Sequence, residues 1–258
     1  MRRIARSEMD KFIIRKRKHE GSDVTGGKKP SKLVNDKMDQ SKTSTRRRNE
    51  NNEISWKHIQ NNDNLNCDYC ILFSKQEADE LFQKCEDEIE YYTGDLTQVK
   101  VYGKWHNIPR KQVAYGESGL RYTFSGTTVP AKPWTKLVDR IREKISLVTG
   151  HHFNFVLINR YKDGNDHMGE HRDDEKELDP KSPIASLSLG QHRDFVFKHC
   201  DSRGKNLSRK IDPVKIELEH GSLLLMNHPT NVHWYHSLPI RKKALCPRIN
   251  MTFRKMLT

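Results

Sequence analysis

Residues 248–254 read Arg-Ile-Asn-Met-Thr-Phe-Arg, RINMTFR, with polar and apolar side chains alternating at every step. A period of two marks a β-strand with two unlike faces, so Arg248, Asn250, Thr252 and Arg254 share one side and Ile249, Met251 and Phe253 the other. Which way the polar side points decides what the fold is built around. Facing water, the two arginines are ordinary. Facing inward, they demand acceptors, because a buried guanidinium left unpaired is strongly destabilising, and an inward pair calls for a dianionic partner.

The same short-strand texture extends upstream. FNFVLINRY (153–161), PIASLSLG (183–190), RDFVFKH (193–199), VKIELEHGSLLLM (214–226) and HWYHSLP (233–239) read as strands separated by Gly, Pro, Asp and Asn turns. Before them, residues 71–92 carry Leu81, Phe82, Cys85 and Ile89 at helical spacing behind Ser74, a good N-cap residue. A second helix is predicted over 133–148, with Trp134, Leu137, Val138, Ile141, Ile145 and Val148 on one stripe and Gly150 as its stop. Both stripes read as core. Helices first and many strands later give an α+β domain whose body is a β-sandwich or jelly roll.

Only 34% of the 258 residues are hydrophobic and 31% are charged, which is lean for that length. The deficit has a place. Residues 1–54 hold 16 basic and 8 acidic side chains and few aromatics, too little apolar surface to offset the entropy of ordering. They read as a disordered basic tail ahead of a folded domain at 55–258. Most of the net +13 lies in that tail, so a nucleic-acid partner is suggested by charge rather than shown by it. Two clusters in it, RKRKH at 15–19 and RRR at 46–48, have the composition of nuclear import signals. Five cysteines without regular spacing argue against a secreted disulfide framework. Cys67 and Cys70 form a lone CxxC without the second pair a zinc ribbon needs. No apolar run approaches the ~18 residues needed to cross a bilayer. The expectation is a soluble intracellular monomer with no membrane partner.

The most specific constellation lies among the strands. HMGEHRDDE sets His171 and Asp173 two apart, which in extended backbone aims both side chains to one face. Downstream, NHPTNVHWYHSLP supplies His228, His233 and His236. One distant histidine added to an HxD pair makes a two-His, one-carboxylate facial triad, the ligand set of non-haem Fe(II) oxygenases; the spacing does not say which histidine. Asn159 and Tyr161 alternate onto one face of their own strand. A cosubstrate with two carboxylates matches two inward arginines through charge-assisted bonds, and on that ground the polar face of 248–254 is read as inward.

Taken together, NxY, HxD, a distant His and Rx5R resemble the AlkB family of Fe(II)- and 2-oxoglutarate-dependent dioxygenases. The likeness continues through VYGKWHNIPRKQ (101–112), YTFSG (122–126), DSRGK (201–205) and NHPTN (227–231), about 200 residues in order, and is strongest to members that repair alkylated duplex DNA. It implies a double-stranded β-helix, the cupin-like jelly roll, with flanking N-terminal helices and a DNA-binding hairpin. It implies His171, Asp173 and His236 as iron ligands. Arg248 with Tyr161 is then expected to hold the distal carboxylate of 2-oxoglutarate, and Asn159, Thr252 and Arg254 to complete the cosubstrate site. The implied reaction spends O2 and 2-oxoglutarate to hydroxylate the N-methyl group of 1-methyladenine or 3-methylcytosine, which leaves as formaldehyde.

Substrate contacts carried over by the resemblance are Tyr102, Gly103 and Lys104 at a hairpin that fills the gap left by an everted base, and Arg110, Arg203, Gly204 and Lys205 against the backbone. Tyr122, Thr123 and Phe124 line the base pocket, and Asp174 and Glu175 favour a cationic base there. Tyr102 departs from the phenylalanine expected of the family, and its hydroxyl needs a partner within the stack. In the tail, Lys11, Phe12, Ile13, Ile14 and Arg15 resemble the short motif by which repair proteins bind the sliding clamp PCNA, consistent with a nuclear location.

Overall fold

The computed structural model describes residues 54–101, 104–124, 127–203 and 208–257. The chain opens with the hairpin β1 (Lys57–Gln60) and β2 (Asn66–Ile71), followed by α1 (Lys75–Glu88). Ser74 caps α1 as its sequence predicts. Its hydroxyl accepts from the Glu77 amide while the Glu77 carboxylate accepts from the Ser74 amide at 2.8 Å, a reciprocal capping box. Next come the hairpin β3 (Gln98–Val101) and β4 (Lys104–Asn107), then β5 (Lys111–Gly116), a second hairpin of β6 (Arg121–Phe124) and β7 (Thr127–Pro130), and the short β8 (Lys132–Pro133). α2 (Lys136–Thr149) starts later than residue 133, because Pro133 pairs in β8 and the Thr135 hydroxyl, accepting from the Val138 amide, sets the cap. Gly150 closes it at φ 71°, the left-handed conformation that glycine adopts without strain.

From there the chain is mostly strand: β9 (Phe155–Tyr161), β10 (Met168–His171), β11 (Ile184–Gly190), β12 (Arg193–His199), β13 (Val214–Leu218), β14 (Ser222–Met226), the single turn α3 (Thr230–His233), β15 (Trp234–Leu238) and β16 (Arg248–Arg254). VKIELEHGSLLLM is therefore two strands, broken at Gly221. The expected order of helices first also needs correction, since eight strands precede β9. Among them the β3–β4 hairpin is expected from the resemblance and not from periodicity: β4 is exposed at every position, so it carries no alternation to read.

Eight strands form one sheet in the order β1-β2-β14-β11-β16-β9-β5-β8, and β10-β15-β12-β13 form a second. Tyr161, Leu224 and Met226 of the large sheet pack against Phe197, Trp234 and Leu238 of the small one, the two-sheet arrangement of a jelly roll. On its other face the large sheet packs Ile249, Met251 and Phe253 with Cys85 of α1 and Val138, Ile141 and Ile145 of α2. β16 lies between β11 and β9, and all seven of its residues are buried. Its polar side therefore points between the sheets. Cys67 and Cys70, on β2, fall in opposite cores, and burial pushes both thiols up to about 12. They do not share a ligand.

Candidate active site

Between the sheets lies a cavity of about 760 Å³, walled by β9, β16 and β5 on one side and by β10, β15 and the 172–175 loop on the other. His171, at the end of β10, stands directly opposite His236 on β15 in the strand register. Asp173 joins them, and the three ligand atoms lie within 4.8 Å of one another. Spacing left three downstream histidines open and the resemblance named His236; the fold brings that one to His171 and Asp173. His233 ends α3 beside His199 and Cys200, a second group within the same separation, in which the His199 Nδ1 accepts from the Asp201 amide and its Nε2 is unpartnered.

Extended backbone is not what brings Asp173 to His171. β10 stops at His171, and Asp173 is turned inward by a clasp in which its amide donates to the Asn231 side chain and the Asn231 amide donates back to its carbonyl. The His171 Nδ1 bonds the Gly169 carbonyl, leaving Nε2 toward Asp173 Oδ1 at 3.7 Å, the tautomer a metal-binding imidazole needs. Asp173 Oδ1 and His236 Nδ1 are buried without a hydrogen-bond partner, so the donor set fits a bound cation such as Fe(II). Burial opposes the Asp173 charge, but Arg254 and the two histidines outweigh it and hold the carboxyl at about 2. Burial, reinforced by His171, pushes His236 down to about 3 and keeps the imidazole neutral.

The two arginines of β16 turn out to differ. Arg254 donates to Asp173 Oδ2 at 3.0 Å, and its charge is matched by that carboxylate. Arg248 donates to the Ser188 hydroxyl at 2.9 Å and has the Tyr161 hydroxyl beside it, but no carboxylate; its Nε and Nη1 have no partner, and burial lowers its pKa to about 10. The Tyr161 ring lies 5.3 Å from its guanidinium carbon. Asn159 faces Asn250 in register, and Thr252 Oγ1 donates to Asn250 Oδ1. Asn250, fixed by Ser186 and the Leu187 carbonyl, lines the same cavity, and Asn231 lines an adjoining one with Asp173 and Arg254. Asn250 is read from the sequence on the inward face of 248–254 but given no role there, and Asn231 is not singled out, for a lone Asn carries no spacing signal.

The remaining expected contacts separate. Tyr122 is buried, donates to Glu175 at 2.6 Å and stacks obliquely on Phe155. Glu175, its carboxyl raised chiefly by burial, keeps Oε2 unpartnered. Asp174 instead faces out, with 65% of its side chain exposed and Arg172 at 3.2 Å. Thr123 lines the cavity and its hydroxyl bonds that of Thr128. Arg110 is tied to the cavity wall by Asn159 Oδ1 at 2.7 Å and the His167 carbonyl. Arg203 pairs with Glu170 and lies 3.5 Å over the Tyr235 ring. Lys104 is exposed in the β3–β4 hairpin, paired in register with Val101, and Phe124 ends β6. Tyr102, Gly103, Gly204, Lys205 and the tail motif lie outside the described residues.

Residues 69–254 match the family described as the 2OG-Fe(II) oxygenase superfamily. The chain is 55% identical to the Bos taurus DNA oxidative demethylase ALKBH2 over 96% of its own length and 92% of that protein. It is 56% identical to the Homo sapiens protein of the same name, over 96% and 98% respectively. The solved structure of OsALKBH1 superposes with a TM-score of 0.53 at 14% identity, covering 78% of this chain and all of that one, a likeness of fold alone. Family, relatives and triad agree: the chain belongs to the 2OG-Fe(II) oxygenase superfamily, in its AlkB family and beside the ALKBH2 proteins.

Proposed function

We propose that this chain is a DNA oxidative demethylase that removes N-linked methyl groups from bases of the 1-methyladenine and 3-methylcytosine type in duplex DNA. The observation that carries the reading is Arg248: a buried guanidinium with no carboxylate partner, in the cavity that also holds the His171, Asp173 and His236 cluster. A protein that only bound nucleic acid has no use for either. The similar bovine and human proteins are named DNA oxidative demethylases.

Fe(II), with 2-oxoglutarate and O2 as cosubstrates, supplies the oxidation that converts the N-methyl group to a hydroxymethyl group, lost as formaldehyde. His171, Asp173 and His236 hold the iron, and Arg254 holds Asp173 ionised and in place. Arg248, with Tyr161, Asn159 and Thr252, clasps the distal carboxylate. Glu175, set by Tyr122, turns its open oxygen to the base, so a ring carrying positive charge is favoured over a neutral one; Asp174 adds negative charge at the rim. A base in a duplex reaches this cavity only by leaving the stack. Tyr102, Gly103 and Lys104 at the β3–β4 turn fill the gap, Phe124 and Thr123 flank the everted base, and Arg110, Arg203, Gly204 and Lys205 position the backbone.

The catalytic domain spans 55–258, and both hydrophobic cores lie within it. Residues 1–54 form a separate basic tail whose Lys11, Phe12, Ile13, Ile14 and Arg15 bind the sliding clamp PCNA in the nucleus, and the enzyme acts as a monomer. No helix among the described residues is long and apolar enough to cross a membrane. The purified chain, given Fe(II), 2-oxoglutarate and 1-methyladenine in duplex DNA, single-stranded DNA or RNA, is expected to release formaldehyde fastest from the duplex. Release from none of them rules the demethylase out, and release from RNA alone rules out the duplex substrate.

A further inference from the structure

Gln112, the second residue of β5, is 2% exposed, and neither its Oε1 nor its Nε2 has a hydrogen-bond partner. It faces Asn159 across β9, which faces Asn250 on β16, which faces Ser188 on β11. Residues opposite one another in register share a face of the sheet, so these four polar side chains form one row toward the cavity, which Gln112 lines. Its row neighbours are satisfied: Asn159 accepts from Arg110, and Asn250 donates to Ser186 and Leu187. Gln112 alone in the row makes no side-chain bond. Buried amides left open are unfavourable and call for an explanation.

The other open polar atoms lining this cavity belong to Asp173, Glu175, Arg172, Arg248, Arg254 and His236. Gln112 differs from them in offering a donor and an acceptor side by side. That pairing limits the ligand. 2-Oxoglutarate, succinate, phosphate and the deoxyribose ring oxygen only accept, so none of them satisfies Oε1. A nucleobase edge both donates and accepts. Gln112 lies on β5, with β9 between it and the β16 strand that carries Arg248, and it shares the cavity wall with Tyr122, Thr123 and Glu175, the residues assigned to the base.

Resting on the demethylase reading, we propose that Gln112 reads the everted base. Its amide takes the exocyclic amino group and N7 of an adenine, the edge that methylation at N1 leaves free and that glutamine matches in bidentate fashion. A cytosine methylated at N3 offers the amino group with a C–H beside it and satisfies only one end. Gln112 thus favours the purine lesion.

The test is Gln112→Met, which keeps the length and removes both polar atoms. The unliganded variant is expected to melt at or above the wild-type temperature, because nothing is lost in the resting fold. Its kcat/KM for 1-methyladenine in duplex DNA falls about tenfold or more, that for 3-methylcytosine falls severalfold less, and the KM for 2-oxoglutarate stays at the wild-type value. An unchanged ratio between the two lesions overturns the proposal, as does a raised KM for 2-oxoglutarate or a lowered melting temperature with equal loss on both lesions. If the wild type releases formaldehyde from neither lesion, the demethylase reading itself fails and takes this proposal with it.

Discussion

Arg248 and Arg254 are the same residue type, six apart on one strand face, yet they do different work because only one of them has a carboxylate to meet. Arg254 is neutralised by Asp173, whereas Arg248 keeps an unmatched charge that the resting fold tolerates at some expense. Replacing Arg248 with Met should therefore leave the unliganded protein as stable as wild type or more so in urea titration. The same change should raise the KM for 2-oxoglutarate roughly 100-fold, in line with removing one partner of a buried charge pair. His236 makes a pH prediction. Its pKa is driven down to about 3 in the folded protein against about 6.5 unfolded, so below 6.5 the unfolded chain binds a proton that the folded chain refuses. Stability of the metal-free protein should fall as pH drops through that window, by up to about 1.4 kcal/mol per unit from this group, and be flat with respect to it above 6.5. Thermal melts of the metal-free protein between pH 7 and 5, beside His236→Asn, check this. A slope that the substitution leaves intact would assign the effect elsewhere.

At the scale of the element, β16 separates chemistry from stability by alternation alone. Ile249, Met251 and Phe253 face the helices, and Arg248, Asn250, Thr252 and Arg254 face the cavity. Met251→Ala, at a fully buried site, should cost about 2–5 kcal/mol in chemical denaturation while leaving the KM for 2-oxoglutarate near wild type, since no cavity-facing atom is touched. A changed KM with unchanged stability would mean that the two faces are not independent. This strand was fully legible in the sequence, as was β12, because each buries a face along its whole length and so keeps its period. β1 and β4 carry no such period: they are hairpin strands whose side chains are mostly exposed. The start of α2 was misplaced because a tertiary pairing of Pro133 with Gly116 overrides the apolar stripe.

For the whole molecule, charge is distributed apart from the fold. The first 54 residues carry 16 basic and 8 acidic side chains, while the remainder holds 31 and 26. A chain beginning at Ile54 should keep its melting temperature and its formaldehyde release from short duplexes. Its DNA affinity should depend less steeply on salt, because fewer phosphates are neutralised and fewer counterions released. Binding isotherms for both chains at several salt concentrations measure the two slopes; equal slopes would exclude the tail from DNA contact, and lost turnover would place it in the catalytic domain.

The sequence by itself determined the alternation of 248–254, the HxD and NxY pairs, the Ser74 cap of α1 and the Gly150 stop of α2, since these depend on neighbours within a few residues. It also carried the family likeness. That likeness, not spacing, named His236 over His233; only the tertiary structure decided that Asn231 turns Asp173 inward, that Asp173 neutralises Arg254 and leaves Arg248 open, and that Gln112 is buried with nothing to bond. Each of those outcomes joins residues from strands far apart in the chain. Register between strands is fixed by the packing of two sheets on one core, and a side chain's partner across that core has no trace in the spacing on either strand.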